Sequence, residues 1–332
     1  MRQRVIGAAL AAGLLLSACS GISGRMRADA PTEEELIVIG LSQVGAESDW
    51  RVANSESMKA VFTEDRGYRL LFDDARQKQE NQISAIRKFI QQQVDYIVLM
   101  PISETGWDSV LQEAWRAGIP VILVDRMVDK SYDNLYTAHV GSDFLQEGKL
   151  AAEWMETRRR DEEGPVYVIH IQGTQGSTAQ LGRTRALEAA LERNGNWTLL
   201  AQLDGDFTQA KTYEAMTVCL GELPPGQEID IVYCENDNEA FGAIQALEEN
   251  GYICGEGSVD IISFDATRNC LTSCLEGKIA LAVECNPLLG PKVEEVIQTL
   301  EAGGTPDKHT YAEEQCFTRE DLSESFIAER KY

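Results

Sequence analysis

Five polar clusters in this 332-residue chain have the residue types to hold a polyhydroxylated neutral molecule. They are Glu47-Ser48-Asp49-Trp50-Arg51, Asp125-Arg126, Arg183 at the end of QGTQGSTAQLGR, Asn236 in ENDN, and Asp265 in SFDAT. Carboxylates accept from hydroxyl groups, whereas arginine and asparagine donate to them. Bonds to ionised partners are the stronger ones. An indole face covers the C–H side of a sugar ring and keeps an N–H for a polar partner. Each cluster also has a plainer reading: a helix cap for Asp265, an ion pair for Asp125 and Arg126, a solvated position for Arg183, a core residue for Trp50. Their shared position, each after an apolar run, favours binding.

Bond-making chemistry is not expected. His139, His170 and His309 are scattered, none has a serine or cysteine partner at a strand end, and no Gly-x-Ser-x-Gly elbow occurs. Asp125 and Asp265 could be imagined as a glycosidase pair, but the adjoining Arg126 suits binding better than proton donation. QGTQGS lacks the P-loop lysine and reads as a tight turn beside a cleft. Cys270 and Cys274 lie four apart and read as small buried hydrophobes. No metal-ligand spacing appears, so neither a metal nor a cofactor is expected.

The elements that must position these groups follow one rhythm: apolar strand, polar turn, amphipathic helix, glycine. Strands are expected at LIVIGLS, YRLLF, YIVLM, PVILVD, PVYVIHI, WTLLAQL, DIVYC, DIISF and IALAVE. Such continuous apolar runs suit a parallel sheet covered on both faces. Ile83, Ile86, Phe89 and Ile90 share one helical face, as do Trp107, Val110, Leu111, Ala114 and Trp115, and again Val293, Val296, Ile297 and Leu300. Gly67, Gly118, Gly251, Gly277 and Gly303 fall where helices should stop. The fold class is α/β, with doubly wound parallel sheets. There are too many strands for one compact sheet, and the chain divides near Asn134–Asp143 into two lobes. Open α/β sheets bind ligands beyond the carboxyl ends of their strands, where the polar clusters stand.

The balance of 30 basic against 54 acidic residues, a net charge of −24, argues against nucleic acid as a partner. Hydrophobic residues at 43% suffice for real cores. The N-terminus has Arg2 and Arg4, an apolar run from Val5 to Leu16, then Leu16-Ser17-Ala18-Cys19. This is an export signal, too short to span a bilayer. Its end resembles the lipobox of bacterial lipoproteins, which implies lipidation of Cys19 after removal of residues 1–18. Residues 19–35 read as a polar tether, and a doubly acylated anchor would hold the chain on the outer face of the cell membrane. Seven further cysteines remain, an odd number, so at least one stays free.

From IGLSQVGAESDWR through QKQENQISAIRKFIQQQVD, TGWDSVLQEAW, IPVILVDR, EGKLAAEWM, GDFTQAK and GAIQALEENG to NPLLGP, the chain resembles the periplasmic sugar-binding proteins of ABC importers. Within that family it is most similar to the galactofuranose binders. The resemblance implies a type I periplasmic binding protein fold: two lobes joined by a three-crossing hinge near His139, Glu284 and His309. The lobes would be 36–138 plus 286–308 and 139–285 plus 309–332. It places the family's ligand contacts on Glu47, Ser48, Asp49, Trp50, Arg51, Asp125, Arg126, Arg183, Asn236 and Asp265. It implies a monosaccharide ligand, an ABC permease with its ATPase as partner, a monomer, and no catalysis. A membrane sensor kinase is the alternative partner. Two positions depart from the family pattern. Asp49 stands where a glycine is usual and adds a carboxylate at the cleft mouth, and Glu235 adjoins Asn236.

Overall fold

The computed structural model describes residues 36–255 and 257–332. The expected signal, the lipidated Cys19 and the tether lie outside the described residues.

Strands β1 Ile37–Gln43, β2 Tyr68–Asp74, β3 Tyr96–Leu99, β4 Val121–Val124 and β5 Ala138–Gly141 build most of one sheet. Strands β6 Val166–Gln172, β7 Trp197–Asp204, β8 Ile231–Cys234, β9 Asp260–Asp265 and β10 Leu281–Glu284 build most of a second. Two short late strands, β11 His309–Tyr311 and β12 Cys316–Phe317, complete them. The orders are β11-β5-β4-β3-β1-β2 and β12-β10-β9-β8-β6-β7. Every pairing is parallel except β12 against β10. In both sheets the first strand sits between its successor and the third, so each winding reverses there and opens a crevice at the carboxyl ends.

Among the described residues the α-helices are α1 Asp49–Val61, α2 Gln79–Gln92, α3 Asp108–Ala117, α4 Phe144–Arg158, α5 Thr178–Arg193, α6 Gln209–Glu222, α7 Asp237–Glu249, α8 Arg268–Leu275, α9 Gly290–Glu301 and, after the last strand, α10 Glu324–Glu329. They cover both faces, and β3, β4, β8, β9 and β10 are buried throughout. This is why nine strands are visible as unbroken apolar runs. All five expected stop glycines have positive φ, from 72° to 87°. Trp107, Val110, Leu111 and Ala114 are buried as the helical period requires, but Trp115 is 63% exposed and leaves that face.

The expected limit at 138/139 falls inside β5, the one at 308/309 just before β11, and the one at 285/286 just beyond β10. β5 and β11 both pair within the first sheet, so sheet membership moves two crossings to just beyond Gly141 and Tyr311. The middle crossing follows Glu284, the end of β10. The lobes meet directly in a closed arrangement. The Asp49 N–H donates to Asn238 Oδ1 (3.1 Å), Met127 N–H to Thr178 Oγ1 (2.9 Å), and Glu104 N–H to the Gly176 carbonyl (3.0 Å).

Candidate functional site

Between the lobes lies a small cavity, with room for about 20 Å3, lined by Ser48, Trp50, Arg51, Asp125, Arg126, Phe144, Ala179, Arg183, Phe207, Asn236, Asp265 and Cys285. Eight of the ten expected site residues are therefore brought together. Glu47 and Asp49 do not line it.

The first wall follows β1. Ser48 caps α1, its hydroxyl accepting from the Arg51 N–H, so the helix starts at once and turns Trp50 and Arg51 inward. Asp49, in the same first turn, points outward and is exposed, which is where its added carboxylate ends up. Trp50 is 3% exposed and donates Nε1–H to the Cys285 carbonyl at 2.6 Å. The Arg51 guanidinium lies 4.7 Å from the Trp50 ring centre. It also pairs with Glu47 through Nε (3.0 Å) and with Asp125 through Nη2 (2.8 Å). Glu47 therefore stands behind the arginines. Burial works against the Arg51 charge, but Asp125 and Glu47 carry its pKa above the usual value.

Asp125 follows β4 with φ 63°. Its carbonyl is met by His139 Nε2 at 2.9 Å. Arg126 is held loosely: Ile102 carbonyl at 3.5 Å, Glu47 at 3.6 Å, Asp125 at 3.8 Å. Burial first, then the Arg51 charge, pull its pKa down to about 10. Its flat face lies 5.1 Å from the Phe207 ring.

The second lobe supplies the opposite wall. Arg183, on α5, makes a two-pronged pair with Glu147 Oε2 through Nε (2.8 Å) and Nη2 (2.7 Å), and donates Nη1–H to the Glu235 carbonyl. Burial opposes its charge, yet Glu147, the Cys285 thiol and Asp265 keep its pKa well above the ordinary value. Asn236 caps α7 in a capping box with Glu239, and its Nδ2 donates to the Phe207 carbonyl. Asp265 ends β9 at φ 106°, and burial, reinforced by Asp237, drives its carboxyl pKa far up.

Glu235, the departure beside Asn236, is not a cavity group. Its carboxylate accepts from His170 Nε2 (2.9 Å), the Gly173 N–H (2.9 Å) and the Thr184 hydroxyl (2.6 Å), bracing the crevice of the second sheet. Gln82 braces the first by joining the Met100 carbonyl (2.6 Å) and the Ile102 N–H (3.1 Å).

Phe144, Ala179, Phe207 and Cys285 were not anticipated. Phe207 and Cys285 follow β7 and β10, so inspecting every strand end would have found them. Phe144 follows β5, a strand the apolar pattern does not show. The seven cysteines from Cys219 to Cys316 are all free thiols.

Several inward polar atoms are incompletely satisfied. Arg51 Nη1 and Arg126 Nε are buried without a hydrogen-bond partner among the described residues, and Asp125 Oδ2 is met only by the Arg51 and Arg126 guanidinium groups. Buried polar atoms in a native protein rarely stay unpaired, and an unmade bond costs about 1–3 kcal/mol. Donors and acceptors converging with three aromatic faces on one small space suit a compact polar ligand.

The family profile for a periplasmic binding protein domain matches residues 39–289. The chain belongs to the periplasmic binding protein family. It is 35% identical over 300 residues to the galactofuranose-binding protein of Escherichia coli (strain K12), covering 90% of this chain and 91% of that one. A structure from Mycobacterium smegmatis in complex with β-D-fucofuranose is 38% identical, with a TM-score of 0.81, over 86% of this chain and 92% of that one. The periplasmic binding component of the arabinose ABC transporter of Shewanella sp. ANA-3, bound to α- and β-L-arabinofuranose, is 36% identical, with a TM-score of 0.82, over 89% and 95%. These relatives are sugar-binding proteins, not enzymes, and the periplasmic binding protein family implies an extracytoplasmic location.

Proposed function

We propose that this chain is an extracytoplasmic lipoprotein, anchored through Cys19, that captures one neutral monosaccharide in furanose form and delivers it to an ABC import permease. The observation that carries the reading is the convergence of Arg51 Nη1, Arg126 Nε and the Asp125 and Asp265 carboxyl groups on one enclosed space between the lobes. Three arginines face two aspartates, with Glu47 and Glu147 paired directly behind. Charge is therefore nearly balanced, which favours a neutral ligand over a phosphorylated or acidic one. Trp50, Phe144 and Phe207 supply apolar faces for the C–H side of a ring. The relatives named for galactofuranose, fucofuranose and arabinofuranose support the five-membered ring form. The direct contacts between lobes fit a hinge-bending protein caught closed.

A thermal-shift panel of furanoses, pyranoses, a sugar phosphate and a uronic acid tests the ligand. A neutral sugar present at about 100 times its Kd should stabilise the fold by about 2.7 kcal/mol. Stabilisation by the charged sugars alone would overturn the reading. For the anchor, Cys19→Ala should move the protein from the membrane to the soluble fraction.

A further inference from the structure

Glu147, Cys285 and Glu314 offer a carboxylate oxygen, a thiol sulfur and a second carboxylate oxygen that all lie within 4.8 Å of one another. They come from the three places where the chain passes between lobes. Glu147 is in the first turn of α4, Cys285 follows β10, and Glu314 lies between β11 and β12. We propose that this cluster is a binding site for a divalent cation of the zinc class, holding the three hinge segments together.

The chemistry of the donors selects the ion. Thiolate sulfur excludes calcium and magnesium, which take oxygen ligands, whereas zinc accepts sulfur and carboxylate oxygen together. Around a tetrahedral zinc with bonds of about 2.0–2.3 Å the ligand atoms are about 3.3–3.8 Å apart. The three atoms lie within 4.8 Å of one another, against that spacing. A second observation also points inward. Arg183 takes up Glu147 Oε2 and leaves Oε1 buried, with no hydrogen-bond partner among the described residues, on a side chain 2% exposed. Ser142 Oγ and the Asn286 N–H (3.0 Å) both meet Glu314 Oε1 and fix that carboxylate in place. Such outer contacts orient metal ligands.

Charge supports the assignment. Three ionised ligands, the Arg183 guanidinium and one divalent cation balance to neutrality in a region closed to water. Sequence spacing could not show this site, because its members meet only through the chain crossings.

The test uses the chelator-treated full chain without sugar, titrated with Zn2+ and, separately, with Co2+. One equivalent should bind, and Co2+ should give the near-ultraviolet band of a cobalt–thiolate bond. Cys285→Ser should abolish that band, and Glu314→Gln should weaken Zn2+ binding at least tenfold. Glu313→Gln, on the exposed neighbour, should leave it unchanged. No band in the wild type, or a band and affinity that survive both site variants, would overturn the proposal. The second result would mark binding to the acidic surface. Cooperative melting of each variant checks that it folds, and the wild-type cobalt spectrum decides even if a variant does not. The outcome does not depend on which sugar binds, so it fails or stands separately from the proposed function.

Discussion

The Trp50 indole N–H donates to the Cys285 carbonyl at 2.6 Å, joining the first helix of one lobe to the hinge segment leaving the other. The same ring forms a wall of the cavity, beneath Arg51. Trp50 packs with Phe144, Ala179, Phe207 and Cys285 in a small group apart from the lobe cores. Its loss should therefore harm binding more than folding. Trp50→Ala should weaken sugar binding by at least about 2 kcal/mol, roughly 30-fold. Apo unfolding should stay cooperative, with a smaller stability loss than the 3–5 kcal/mol of a core tryptophan. Titration calorimetry and urea unfolding of one preparation separate the two effects.

Arg126 and Arg183 look alike in sequence but differ in attachment. Arg183 holds buried Glu147 by two prongs, so Arg183→Ala strands a buried carboxylate and should cost the apo protein about 3–5 kcal/mol. Arg126 has only long contacts and the Arg51 charge beside it. Arg126→Ala should shift apo stability by less than about 1 kcal/mol while lowering sugar affinity at least tenfold, since a charged hydrogen bond is worth about 1.5–3 kcal/mol. Equal stability losses in the two variants would contradict this.

Gly173 has no room for a side chain because the Phe207 ring occupies the place. An added Cβ would lie 2.0 Å from Phe207 Cζ. Phe207 itself sits at φ 59° and stacks over Arg126. Gly173→Ala should push the ring toward the cavity and cut affinity sharply. In a Phe207→Ala background, the same change should have little further effect, and comparing the four affinities measures that coupling.

His139 gives the fold an acid limit. Burial, with His309 nearby, pulls its pKa down from 6.5 to about 4. The folded state prefers neutral imidazole, so its contribution is fully present above pH 6.5 and is lost as the pH falls toward 4. The maximum effect is about 3 kcal/mol. His139→Gln keeps an N–H for the Asp125 carbonyl but cannot titrate. Urea unfolding at pH 7.5 and pH 4 should show a smaller acid loss in the variant than in the wild type.

The parts of the fold written as apolar runs were legible in the sequence because strands buried on both faces must be apolar throughout. β5 was not, since Ala138-His139-Val140-Gly141 is short and lies within a polar stretch, and β11 and β12 are three- and two-residue edge strands. Side-chain direction within the first turn was equally hidden. Neighbouring helical residues point about 100° apart, so Trp50 faces inward while Asp49 faces water. Phe144 and Phe207 escaped notice because an aromatic against a ligand and one in a core have the same composition signal.

Asn238 contributes no atom to the cavity lining, yet its Oδ1 accepts the Asp49 N–H across the cleft at 3.1 Å. This bond exists only when the lobes meet, so it stabilises the closed state without touching the ligand. Thr178 Oγ1 does the same for the Met127 N–H at 2.9 Å. Removing either acceptor costs about 1 kcal/mol, the usual net worth of such a bond. Closed and open populations then shift by about fivefold. For Asn238→Ala and for Thr178→Val the sugar off-rate should rise by about that factor, the on-rate should hold, and preference among sugars should stay as it was. Stopped-flow tryptophan fluorescence with two different sugars checks it. A change in preference would instead place Asn238 or Thr178 in contact with the ligand.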